Sequence, residues 1–331
     1  MYDLRRNDYD VTNSIQVSST ASVCEAVREL FASAWPGESF ERVAIAFEEF
    51  ERLFSGRMPG YHGVDTVYHD RQHSLDMTLA MARLLVGYET GADTDQRVGV
   101  ERAVMSLVTS LFHDSGYIRE FDDQIHRNGA EFTLYHVTRS ARFLARFLPS
   151  IGMEAWVPVS TRIVHFTGYE IKLSQIQLAD SRDRKCGHLL GTADLIAQMA
   201  DRCYLEKCRD RLYPEFVLGG VAAAPASDGS MQVRYSSGLD LLRQTPRFVR
   251  ETRSQRLGGE FEHAYRHLEP LFSGKNPYLE AIDRNMGYLQ GILRAERWRM
   301  LRRNPPLFTS EANQLGQVRG LMVNRLNALW A

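Results

Sequence analysis

The 331-residue chain has no run of apolar residues long enough for a membrane-spanning helix, which needs roughly eighteen or more. The opening stretch MYDLRRNDYDVTNS is polar and has none of the apolar core of a secretory leader. Cysteine is scarce. The four residues Cys24, Cys186, Cys203 and Cys208 form no C-x-x-C pair, and a chain of this length is not a small secreted disulfide scaffold. We read them as reduced thiols in a cytoplasmic protein. An excess of charge is also lacking. Forty Lys and Arg face 41 Asp and Glu, a net charge of −1, so no global basic field is available to hold a nucleic acid polymer. Strand signals are few and no fixed-period repeat is found. What remains is 44% hydrophobic and 24% charged residues, the balance of a globular protein with a core of its own.

Helical periodicity fills most of the chain, and the expected class is all-α. Residues 1–17 read as a loose lead-in. Ser18, Ser19 and Thr20 are N-cap types ahead of a helix that the Pro-Gly pair at 36–37 ends. A second helix at 39–55 carries one apolar stripe from Phe40 to Leu53. Glycines at 56, 60 and 63 with Pro59 mark a loop. Helices are expected at 68–88 and 96–113, then over 124–148 and 154–166, with two more in 183–217. The segment GGVAAAPASDGSMQ at 219–232 is small and flexible, with a short strand expected at RYSS beside it. Helices near 239–257, 260–272, 278–302 and 309–330 follow. The expected organisation is an N-terminal extension, 1–63; a core, 64–218; an excursion or linker, 219–238; and C-terminal helices, 239–331, extending the bundle.

The histidines carry the chemistry. In YHDRQH, His69 and His73 stand at i and i+4, on one face of the expected helix. His113 and Asp114, in LFHDSGY, end the next one. Consecutive helices with a short connection run antiparallel, so the start of 68–88 and the end of 96–113 lie at one end of the pair and His73 can meet His113 and Asp114. His136 follows in TLYHVTRSARFL, with His126 competing for the same role. His165 sits in STRIVHFTGY. Asp194 lies between Ala193 and Leu195 in a helix otherwise apolar. A buried carboxylate without a partner is costly, so a cation is the better account of it.

The order His, His-Asp, His, His, Asp resembles the HD-domain metal-dependent phosphohydrolase superfamily. The segments YHDRQHSLDMTLAMARLL and TADLIAQMADR resemble those of class I cyclic-nucleotide phosphodiesterases, over roughly residues 64–217. The resemblance implies an all-helical HD-domain bundle. It implies His73, His113, Asp114 and Asp194 as the common metal ligands, His136 and His165 as the extra pair of a dinuclear site, Asp114 as the bridge between two divalent ions (Fe, Mn, Zn or Mg), and His69 as the proton donor to the leaving oxygen. The pattern departs from the phosphodiesterases after the His-Asp pair, where Gly116 and Tyr117 stand.

On this reading the chain is a phosphodiesterase or related phosphohydrolase. Its partner is a small-molecule phosphoester or nucleotide, with no membrane and no nucleic acid polymer expected and a homodimer open. The same six ligands also suit a mixed-valence di-iron oxygenase of the HD fold. Tyr68-His69 ahead of His73 favours hydrolysis. A non-catalytic sensor, with residues 220–331 as an interaction surface, is the third reading.

Overall fold

The computed structural model describes residues 5–226, 228 and 230–330, so Met1–Leu4 of the expected lead-in, and Ser227 and Gly229 of the expected excursion, lie outside the described residues. The helices are α1 (Thr20–Ala34), α2 (Glu41–Phe54), α3 (Arg71–Gly91), α4 (Gly99–Leu111), α5 (His136–Ser150), α6 (Val157–Ile163), α7 (Ser181–Ala200), α8 (Tyr204–Lys207), α9 (Tyr213–Leu218), α10 (Gly238–Glu251), α11 (Pro277–Ala295) and α12 (Gln314–Trp330). The strands among the described residues are two three-residue pieces, β1 (Ala223–Pro225) and β2 (Met231–Val233), paired antiparallel with Ala223 opposite Val233. The fold is all-α.

Helix α3 is buried on every face from Gln72 to Glu89, and α7 is nearly so. A helix apolar all round belongs in the middle of a bundle. These two pack on one another, with α1, α4 and the tight turn Ala264–Phe272 closing on α3 and α11 on α7. One hydrophobic core runs from Val11 to Leu301, across every boundary of the expected four-part division. A smaller cluster joins Val67, Ala130, Leu218 and Val318. It docks α12 onto α9 and onto the loop that leads into α3. No helix of the described residues is long and apolar enough to cross a membrane.

Several sequence expectations fail in instructive ways. The lead-in is not loose from Arg5 onward. Asp10, fully buried, accepts the N–H groups of Ser14 and Ile15 and the Thr12 hydroxyl, and pairs with Arg83 at 2.7 Å. Helix α3 starts at Arg71 rather than Tyr68, because Asp70 caps it by accepting the His73 N–H. Helix α4 stops at Leu111, short of His113. The expected 124–148 helix is a loop up to Asn128, whose side chain and Glu131 form a capping box on a short turn; α5 begins only at His136. RYSS is not a strand; the pairing lies just before it. The two helices expected in 183–217 are present as α7 and the run Tyr204–Leu218, in which a π-helical stretch at Cys208–Leu212 joins α8 to α9 without a break.

Candidate metal centre

Asp70 fixes the first turn of α3, and His73 projects from that turn. The end of α4 brings His113 to the same place, as the antiparallel arrangement predicts. His113 and Asp114 are not helical neighbours. They occupy the turn after α4, ahead of the tight turn Ser115–Tyr117. His73 Nε2 and His113 Nε2 stand 3.4 Å apart. One ligand atom from each of His73, His113 and Asp114 falls within 4.8 Å of the others.

Asp114 lies between two histidine groups. Its Oδ2 is 3.2 Å from His113 Nε2 and 3.5 Å from His73 Nε2, while its Oδ1 is 3.7 Å from His136 Nε2. The residue is buried, and Oδ2 has no hydrogen-bond partner. From α7, Asp194 Oδ1 approaches His73 Nε2 at 3.2 Å and His113 Nε2 at 3.9 Å. Gly116 makes the meeting with His136 possible. A Cβ there would overlap the His136 carbonyl oxygen, and the Gly116 N–H donates to Ser140 Oγ of α5 at 2.9 Å.

The outer faces of two of these histidines are fixed. His113 Nδ1 lies 2.8 Å from the Ser110 carbonyl, and His136 Nδ1 lies 2.8 Å from that of Thr133. A carbonyl only accepts, so each Nδ1 carries the proton and each Nε2 turns a lone pair or a second proton toward Asp114. Burial lowers the His113 pKa, but Asp114 beside it outweighs this and raises it to about 9. Asp114 itself is raised by burial, yet His113, His69 and His73 hold it well below the usual carboxylate range. At His136 burial wins and the pKa is lowered. A proton and a divalent cation are alternatives at such nitrogens.

His165 is less engaged. It is buried in the short turn Val164–Thr167, against α5 and α7, and its Nδ1 has no hydrogen-bond partner. The three-residue group within 4.8 Å does not include it. Burial lowers its pKa. His126 turns away, with Nδ1 2.9 Å from Asp123 Oδ2 and Nε2 3.2 Å from the Tyr135 hydroxyl, so of the two competing histidines it is His136 that the structure brings beside Asp114.

His69 is not on α3. It sits just before the Asp70 cap, so the i, i+4 argument does not account for its place; its ring is nonetheless 5.9 Å from that of His73. Its partner is Glu215 of α9, fully buried, with Oε2 2.6 Å from His69 Nδ1. The other oxygen of Glu215 accepts the N–H groups of Val67 and Tyr68, both at 2.6 Å. Burial lowers the His69 pKa, but Glu215 overrides it and the net shift is upward. Sequence reasoning missed Glu215, although an acidic residue amid the apolar YPEFVL carries the same signal as Asp194. It also missed Tyr117, whose ring stacks on those of both His69 (4.5 Å) and His136 (4.3 Å), and Glu170, which accepts the Val137 and Thr138 N–H groups at the start of α5.

The donor set fits a divalent cation: imidazole nitrogens and carboxylate oxygens aimed at one point, an orphaned carboxylate oxygen among them, and no thiolate. Compared with protein-family models, curated proteins and solved structures, the chain matches none.

Proposed function

We propose that the chain is a metal-dependent phosphohydrolase of the HD-domain type, acting on a small phosphodiester, in the first place a nucleotide. The observation that carries this reading is Asp114, with one oxygen toward His73 and His113 and the other toward His136. A carboxylate so placed suits a bridge between two ions. His73, His113 and Asp194 would hold one ion and His136 and His165 the other, with Asp114 shared. Two bound divalent ions would supply Lewis acidity toward the phosphate and an acidified water.

The chain's own residues account for the rest. His69 is the proton donor. Glu215 takes the Nδ1–H and favours the imidazolium, so Nε2 keeps a proton to give to the departing alkoxide. The Val67 and Tyr68 N–H groups fix Glu215 in turn, so the His69 ring is held at its back. Tyr117 covers one ring face and keeps water from it.

Elemental mass spectrometry on protein purified without added metal tests the centre, with His73→Ala and Asp114→Ala beside the wild type. About two ions per chain, lost in both variants, support it. Hydrolysis of a nucleotide phosphodiester panel then tests the reaction, with His69→Gln expected to lower kcat roughly 10²–10⁴-fold while metal content stays unchanged. Iron with a mixed-valence paramagnetic signal and oxygen uptake would overturn hydrolysis in favour of the oxygenase reading. Metal binding without turnover of any phosphoester would favour the sensor.

A further inference from the structure

His73 also borders a second space. A narrow cavity of about 10 Å³, the room one water needs, is lined by His73, Gln72, Asp76, Asp201, Lys207 and Tyr68, among others. Most of its polar groups satisfy one another. Lys207 Nζ donates to Asp201 Oδ2 at 2.5 Å and to Gln72 Oε1 at 3.0 Å. The Asp201 carboxylate also accepts the Cys203 N–H, and the Tyr68 hydroxyl donates to Gln198 Oε1. Asp76 is the exception. It is only 8% exposed and its Oδ1 has no hydrogen-bond partner.

Asp76 and His73 are three residues apart on α3, and so share a face. His113 and His136 each have Nδ1 held by a backbone carbonyl, whereas His73 Nδ1 meets no protein acceptor among the described residues. A ligating histidine ordinarily donates its outer N–H to a carboxylate, a carbonyl or a water. We infer that the cavity is a built water site, in which one water accepts the His73 Nδ1–H and donates to Asp76 Oδ1. Asp76 is then a positioning residue. It fixes the tautomer and plane of His73 through that water and leaves Nε2 for the metal. Its own state agrees with a group in want of a donor: burial, with Asp201 and Asp10 near, pushes its pKa up to about 7.

The inference rests on the metal-binding half of the proposed function, and its test needs no substrate. The full chain, stripped of metal, is titrated with Mn²⁺ or Zn²⁺ against a chromophoric chelator. Asp76→Leu removes the acceptor, and affinity is expected to fall about 10–100-fold. Asp76→Asn keeps an oxygen for the water and recovers most of it. Thermal stability of both variants is expected to hold or rise, because a buried carboxylate without a protein partner has gone. In the Zn²⁺-loaded wild type the His73 Nδ1–H is expected to exchange slowly and to carry the downfield ¹H shift of a hydrogen-bonded imidazole N–H, and both features are lost in Asp76→Leu. Unchanged affinity in Asp76→Leu overturns the inference. So does equal weakening in Asp76→Asn accompanied by a lower thermal midpoint, which would mark Asp76 as structural. If Asp76→Leu does not fold, a fast-exchanging His73 Nδ1–H without that downfield shift in the Zn²⁺-loaded wild type overturns it alone. A wild type that binds no metal overturns the centre itself, and this inference falls with it.

Discussion

Two sites on α3 bury charge, and they do it in opposite ways. Toward one end, Arg83 donates to Asp10 at 2.7 Å and to the Tyr278 hydroxyl at 2.8 Å, and Asp10 is further met by Thr12, Ser14 and Ile15. The network ties the residues before α1, α3 and α11 together and leaves its carboxylate satisfied. At the start of the same helix, His73, His113, Asp114 and Asp194 crowd acceptors around one point and leave Asp114 Oδ2 unpartnered. Burial of charge is common to both, so burial alone does not mark a site. Convergence of unspent lone pairs does. The first arrangement holds the fold; the second costs the fold stability that a cation or a proton would return.

Breaking the closed network has the largest expected effect. Arg83→Leu leaves Asp10 buried without its cation, and chemical denaturation is expected to find the protein less stable by about 3–5 kcal/mol. Pairing it with Asp10→Asn recovers part of that loss. The open cluster is expected to respond to metal instead. Chelation is expected to lower the unfolding free energy by about 2.7 kcal/mol relative to protein held at a hundred times its metal Kd. Asp114→Ala is expected to show no such difference, because it removes the carboxylate that the ions would share. Gly116→Ala sharpens the contrast from the backbone side. The added methyl drives the 114–117 turn away from the start of α5, for about 1–3 kcal/mol, and the metal count per chain is expected to fall with it.

The smallest effect concerns a histidine that belongs to neither class. His188 lies beside the rings of Phe166 and Phe261, with the exposed Glu262 3.5 Å away. Burial lowers its pKa to about 4 despite Glu262. The unfolded chain takes up this proton near pH 6.5 and the folded chain only near 4. The unfolded state therefore binds more protons between those values, and stability falls as the pH drops through that window. Denaturation midpoints across it should flatten in His188→Leu, by on the order of 1–2 kcal/mol. Midpoints that keep the wild-type slope would place the titration elsewhere.

The legible part of the site was what periodicity and hairpin geometry control. Asp194 announced itself as a carboxylate inside an apolar helix, and two helices of similar length with a short link were enough to bring His73 to His113. Periodicity misled where apolar residues serve no core. Ile125 and Leu134 kept the helical spacing alive between 124 and 136, yet they are 82% and 63% exposed ahead of α5. It was blind where side chains organise backbone. Nothing in the spacing of residues 5–17 reveals that one carboxylate, Asp10, gathers them, and nothing in YHDRQH distinguishes an Asp on the helix from the Asp that starts it. The pairing of Glu215 with His69 was hidden by distance, since it spans 146 residues.

That separation grows further along the chain. The loop ahead of His69 is also bound by Ser310, which donates to the Val64 carbonyl over 246 residues, and Val67 is covered by Val318 with Leu307, Leu315 and Leu321 beside it. During synthesis, at roughly 5–20 residues per second, the His73 and His113 segments leave the ribosome early and close together. The cover over the His69 loop arrives last. The His69 loop is therefore covered only after the helices that hold the cluster have had time to pack, and a ribosome stalled before residue 307 would carry a chain with its histidine cluster assembled and its His69 loop held by Glu215 but still uncovered.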